Sequence, residues 1–103
     1  MLLKHPEKIV NFCSSSEAPW RFDGKYLCID FTFQSFTTTM AFVDAVAACA
    51  ERLDHHPRMI VDYRTLSLQV FTHDVQGITQ KDFDLAMEIN TLNEKNYGMV
   101  HEK

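Results

Sequence analysis

Two stretches of the chain alternate apolar and polar residues with period two. In the first, Leu27, Ile29, Phe31 and Phe33 alternate with Tyr26, Cys28, Asp30, Thr32 and Gln34; in the second, Leu66, Leu68 and Val70 alternate with Ser67, Gln69 and Phe71. That spacing puts one set on a single strand face, toward a core. Each stretch has a shorter neighbour. Trp20-Arg21-Phe22 precedes the first across Asp23-Gly24, a dipeptide of tight hairpin turns whose central positions favour positive φ. Met59 to Tyr63 precedes the second, with a turn expected near Arg64-Thr65. Between the hairpins the period changes. Thr37 is a plausible N-cap for a helix over 38–53, with Met40, Val43, Ala47, Ala50 and Leu53 sharing a face. The run Ala45-Val46-Ala47-Ala48-Cys49-Ala50 has small side chains suited to close packing. Pro57 disfavours helical geometry at the residue before it, so this helix should fade at Asp54 or His55. Thr79 begins a second long helix, with Asp82 at capping-box spacing. Phe83, Ala86, Ile89 and Asn93 lie on one side of it, with Leu85 and Leu92 adjoining. Residues 5–15 predict a short N-terminal helix with Pro6 in its first turn, Ile9, Val10 and Phe12 apolar, and Ser14-Ser15-Ser16 ending it. The tail from Asn96 is polar and expected to fray. The order is strand, strand, helix, strand, strand, helix. It predicts an α+β two-layer domain: a four-stranded antiparallel sheet with both long helices on one face.

Composition narrows the class. The 103 residues, 46% hydrophobic and 23% charged, make one globular domain over 1–103, with 1–18 a short N-terminal segment and 96–103 the frayed tail. A core this small makes self-association a natural way to bury more surface. The net charge of −4 argues against a general nucleic-acid or anionic-membrane binder, which needs a basic patch. Cys13, Cys28 and Cys49 fit neither a disulfide framework nor a zinc spacing. The first residues turn polar too soon for a signal peptide, and no apolar run approaches membrane-spanning length. A reduced cytoplasmic or nuclear compartment is the expectation.

The chemistry gathers in Asp54-His55-His56-Pro57 and Thr72-His73-Asp74, which hold three of the five histidines. Imidazole gives and takes protons near neutral pH without a large perturbation. A single histidine is more often a surface or capping residue. Three at the end of a helix and the end of a strand lie where sites are usually built. Zinc would need ligands aimed at one point, and adjacent histidines with no His-x-His or His-x-x-x-His spacing do so poorly. A cysteine nucleophile is disfavoured, because Cys28 and Cys49 fall in regular segments and Cys13 is far from any histidine. The remaining reading is metal-free acid–base catalysis on a small polar substrate, with no metal site.

Glu51-x-x-x-His55-His56-Pro57, then Thr72-His73-Asp74, then Gly77-x-Thr79-x-x-Asp82 closely resembles the pterin-4a-carbinolamine dehydratase family, also known as the dimerisation cofactor of hepatocyte nuclear factor family. The resemblance runs from about Trp20 to Asn90. It implies the same α+β fold and loss of water from 4a-hydroxytetrahydropterin to give quinonoid dihydropterin, a step of tetrahydrobiopterin recycling. It implies no cofactor beyond the pterin substrate. His55 and His73 would be candidates for acid at the C4a hydroxyl, and His56 would hold the pterin and assist at N5. Any two of the three could share these roles. Asp82 would orient or charge-stabilise an imidazole, and Trp20, Glu51, Asp54, Pro57 and Thr72 would bind the pterin. A homodimer or homotetramer is implied. The alternative function is that of some animal members, a dimerisation cofactor that binds a helical segment of a transcription factor. The chain departs from the family pattern at Met59, where an aromatic often follows His-His-Pro, at Lys81, where Arg is common, and in its short N-terminal segment.

Overall fold

The alternating stretches pair with each other at the centre of the sheet. Strand β2 (Leu27–Thr32) lies antiparallel to β4 (Thr65–Val70), with Leu27 opposite Val70, Ile29 opposite Leu68 and Phe31 opposite Leu66. All six of these side chains are fully buried. Burial of each is worth roughly 1.5–3 kcal/mol of transfer free energy, so this register fixes which face looks inward. The structure, a computed structural model, describes residues 6–15, 18–96 and 100–101. Strand β1 (Arg21–Phe22) pairs with β2 and β3 (Arg58–Asp62) with β4, giving the antiparallel order β1-β2-β4-β3. The expected four-stranded sheet and α+β class hold. One addition falls in the tail expected to fray: Val100–His101 form a two-residue strand, β5, paired with Phe31 and Thr32 of β2. The other tail residues expected to fray, 97–99 and 102–103, lie outside the described residues, as do His5 and Ser16.

Helix α1 spans Pro6–Ser15, α2 Phe36–Leu53 and α3 Gln80–Asn96. In α1, Ile9 is buried and Phe12 stacks against the rings of Trp20 and Phe83, but Val10 points outward. The start of α2 differs from expectation. Its cap is Ser35, not Thr37, and the Ser35 hydroxyl accepts from Thr38 N–H. The inward face is correspondingly rotated. Thr39, Phe42, Val46, Cys49 and Ala50 are buried, and Met40 is exposed. Phe42 decides this, because its ring packs edge-on against Phe31 at 5.1 Å and a large aromatic outweighs a run of alanines. Helix α3 begins as the capping-box spacing requires, and its buried residues are Asp82, Phe83, Leu85, Ala86, Ile89 and Asn93.

Both turns differ in detail. In Asp23-Gly24 only Gly24 has positive φ, at 101°. The Asp23 carboxylate instead holds the loop, accepting from the backbone N–H groups of Lys25 and Tyr26. Those bonds hold its carboxyl below the usual carboxylate range. The second hairpin turns at Tyr63-Arg64, one residue earlier than expected, with Tyr63 at φ 55°. Among the described residues, no helix is long and apolar enough to cross a membrane.

Candidate active site

Helix α2 ends in a way that separates two adjacent histidines. Asp54 takes the left-handed conformation at φ 53°, and its N–H bonds the carbonyls of Ala50 and Glu51. His55 N–H then reaches back to Ala50 O at 3.0 Å. This is a Schellman termination, and Asp is one of the few non-glycine residues that tolerates it. The left-handed residue stops the helix before Pro57 can. It turns His55 inward, with a side chain only 10% exposed, and leaves His56 at the surface.

His55 meets the start of α3. Its Nε2–H donates to Asp82 Oδ1 across 2.7 Å. An ionised carboxylate can only accept, so that ring nitrogen carries the proton and Nδ1 is left to exchange one. Asp82 is fully buried. Its other oxygen, Oδ2, accepts from Thr79 N–H at 2.9 Å and from the Thr72 hydroxyl at 2.7 Å. Thr72 spends its one proton on the carboxylate, so the 2.7 Å contact between Thr72 and Thr79 has Thr79 as donor. Three donors thus satisfy a buried carboxylate that would otherwise be costly. The same side chain caps α3 and holds His55.

The other two histidines are differently placed. His56 Nε2 lies 2.6 Å from Glu51 Oε2. Both are exposed, and a pair of that kind contributes little. Strand β4 runs out through Thr72, which bridges to Gly77, into a single 3-10 turn over His73–Val75. His73 stands exposed there, edge-on to Phe71 with ring centroids 6.2 Å apart. Among the described residues no hydrogen bond holds its ring nitrogens.

A cavity of about 320 Å³ connects these groups, within the range of small-ligand sites. Of the residues expected from the sequence, Asp54, His55, His56, Thr72 and His73 line it. Asp82 sits directly behind His55. Glu51 reaches it only through His56, and Pro57 is half-buried off its wall. Trp20 is elsewhere. It is buried in the core, and its indole N–H donates to Asn90 Oδ1 at 2.7 Å. The walls also include Phe71, Asp74 and Lys81. Asp74 lies in the Thr-His-Asp stretch that drew attention, but Phe71 reads in sequence only as the outward partner of an alternating strand.

Elsewhere the chemistry is quiet. A cavity of about 440 Å³ between α1 and β1 is lined chiefly by Ile9, Val10, Cys13, Trp20 and Phe22. Burial pushes the Cys13 thiol up. Burial, reinforced by the Asp23 carboxylate, pushes Cys28 up to about 11. Neither is primed as a nucleophile. Among the described residues, no three His, Cys, Asp or Glu side chains group so as to hold a metal ion.

Comparison with known proteins gives this arrangement its context. The family model for pterin 4 alpha carbinolamine dehydratase matches residues 4–92. A Nitrosospira multiformis protein with the provisional name pterin-4-alpha-carbinolamine dehydratase is 40% identical over 73 residues, 71% of this chain and 65% of its own length. A Natronomonas pharaonis protein with the same provisional name is 39% identical over 77 residues, 75% of this chain and 84% of its own. In three dimensions the chain is similar to a transcriptional coactivator/pterin dehydratase from Brucella melitensis. The TM-score is 0.81 at 26% identity, covering 89% of this chain and 98% of that one. A match over nearly the whole chain, with the fold in agreement, places the chain in the pterin-4a-carbinolamine dehydratase family.

Proposed function

We propose that the protein dehydrates a 4a-hydroxytetrahydropterin to the quinonoid dihydropterin and water, as in tetrahydrobiopterin recycling. The observation that carries this is the pairing in one cavity of an imidazole locked to a buried carboxylate and a second imidazole whose ring nitrogens, among the described residues, make no hydrogen bond. The C4a hydroxyl leaves as water once it gains a proton, and the N5–H bond supplies the electron pair for the new C4a=N5 bond. His73, free to exchange with solvent, gives the proton to the hydroxyl. His55 takes the N5 proton at Nδ1, and Asp82 stabilises the imidazolium that results, the role a buried aspartate plays behind a histidine base. Solvent then restores both histidines. His56 steadies the pterin beside them. General acid and general base help contribute roughly 10²–10⁴-fold each.

This chemistry needs no metal. After chelator treatment and dialysis the protein should still accelerate carbinolamine dehydration, followed by the change in pterin absorbance. Activity lost on chelation and restored by zinc overturns the mechanism; no acceleration in any form overturns the function.

Self-association belongs to the same reading. Among the described residues, the outer edge of β3 is unpaired, and Ile60, Val61 and Tyr63 beside it are exposed. An apolar open edge invites a second strand. Light scattering at micromolar concentration should show a dimer or tetramer, and a persistent monomer counts against it. A second function, binding a helical segment of a transcription factor, draws support from the Brucella relative's description as a coactivator. Here the exposed apolar pair Phe36 and Met40, one helical turn apart on α2, suits such a contact. A sample that dehydrates the carbinolamine but captures no such helical segment favours the enzyme alone.

A further inference from the structure

The histidine cavity does not end at the histidines. A second lobe of about 200 Å³ shares His56, Phe71 and His73 with it and continues past Tyr26, Gln69 and Arg58. The sheet register builds this lobe. Cys28 of β2 lies opposite Gln69 of β4, and Gln69 lies opposite Arg58 of β3, one row across three strands. It is the row facing away from the helices, because its neighbours Leu27, Leu68 and Val70 fill the core. Tyr26 and Phe71 close the end of the row with ring centroids 5.1 Å apart.

Two cations lie near this lobe, one over the rings and one in its wall. The Lys25 ammonium lies 5.2 Å from the centroids of both Tyr26 and Phe71. The Arg58 guanidinium reaches Gln69 Oε1 at 3.4 Å, a long bond to a neutral partner. Among the described residues neither cation meets a carboxylate. Arg21 and Arg52, by contrast, pair with Asp30 and Glu88 at 3.3 and 2.7 Å. In a chain of net charge −4, an Arg58 that lines the hollow, with a Lys25 over the two rings that close it, forms a local anion-attracting end.

We propose that this lobe seats the side chain carried by the pterin ring and that this side chain ends in an anionic group, a phosphate ester or a carboxylate. The proposal rests on the function proposed above. The ring occupies the histidine lobe, and its substituent crosses the wall shared by His56, Phe71 and His73. There the anion meets Arg58, whose planar fork suits either oxyanion, and Lys25 adds a second charge. A neutral hydroxylated side chain would leave both cations without a counter-charge.

The test compares three carbinolamines: one with a neutral dihydroxypropyl side chain, one with a terminal phosphate and one with a terminal carboxylate. Dissociation constants of the matching 7,8-dihydropterins, read by fluorescence, accompany the rates. An anionic substrate should exceed the neutral one in kcat/KM by roughly tenfold or more, through KM and not kcat. Arg58→Gln should cut that ratio about tenfold and Lys25→Gln by less, and added salt should act the same way. The larger of the phosphate and carboxylate effects names the group. Equal handling of charged and neutral substrates, or a ratio unmoved by Arg58→Gln, overturns the proposal while dehydration itself stands. Selective binding of the anionic dihydropterins without dehydration of any carbinolamine overturns the reaction and keeps the lobe.

Discussion

His73→Ala should lower kcat by roughly 10²-fold or more and leave the melting temperature almost unchanged. The two halves of that expectation come from the same geometry. The side chain is exposed in a single 3-10 turn and, among the described residues, its ring nitrogens bond to nothing. It also gives up an edge contact with the Phe71 ring. Removing an exposed side chain with so few partners costs within about 0.5 kcal/mol. On the proposed mechanism the reaction, however, loses its proton donor. His56→Ala should differ by raising KM along with any loss in rate, because in the proposed mechanism His56 steadies the ring. Rates and melting curves of the two single variants and of the double variant separate these roles. A protein lacking both His56 and His73 that keeps near-parental turnover sinks the histidine mechanism.

Asp82→Asn should damage both fold and rate, and the reason is a conflict within the amide. The carboxylate serves His55 with one oxygen and serves Thr79 N–H and the Thr72 hydroxyl with the other. An asparagine has one oxygen and one NH₂. If its oxygen stays with Thr79 and Thr72, its NH₂ faces His55 Nε2, which must then accept and shift its proton to Nδ1. That is the wrong tautomer for a base acting at Nδ1. If its oxygen turns to His55, the NH₂ faces the Thr79 N–H, and the start of α3 is left with two opposed donors in a buried site. The second arrangement leaves a buried mismatch costing about 1–3 kcal/mol. The first satisfies every partner but replaces charge-assisted hydrogen bonds with neutral ones roughly half as strong, and a loss of about 1 kcal/mol lowers the melting temperature of a chain of this size by roughly 4 °C or more. Both arrangements remove the negative charge that stabilises the imidazolium in the proposed mechanism, so turnover measured well below the melting point should fall by about 10²-fold or more. Melting and rate are therefore expected to move together. A lowered melting point with an unchanged rate would assign Asp82 to capping alone.

What could be read from the sequence divides along a physical line. The inward faces of β2 and β4 were legible because period two is unambiguous and a shift by one residue would expose Leu27, Ile29 and Phe31 together; that these two strands pair with each other was not. The cap at Thr79 was legible because its partner is three residues away. The cap of α2 was not, because Ser35, Thr37 and Thr38 all offer a hydroxyl, and packing of Phe42 on Phe31 makes the choice. His55, His56 and His73 stood out as chemistry, but nothing local distinguishes the inward His55 from the outward His56. That depends on the left-handed Asp54 and on a carboxylate 27 residues away. Trp20 shows the reverse. It matches the family pattern, yet it bonds Asn90 within the core and does not reach the cavity. Phe71 and Gln69 were hidden among the outward positions of a strand, where a site wall and a solvated surface have the same spacing.

The double service of Asp82 has an evolutionary consequence. A catalytic residue with no structural duty drifts as soon as selection on the reaction relaxes, and on the proposed mechanism His73 is of that kind. Asp82 is not, because the helix it caps would suffer from its loss whether or not any pterin is ever bound. A lineage of this fold that abandoned the reaction would therefore keep an aspartate here long after its histidines had gone. In such a lineage the aspartate alone is a poor witness of activity, and an intact set of three histidines beside it is a much better one.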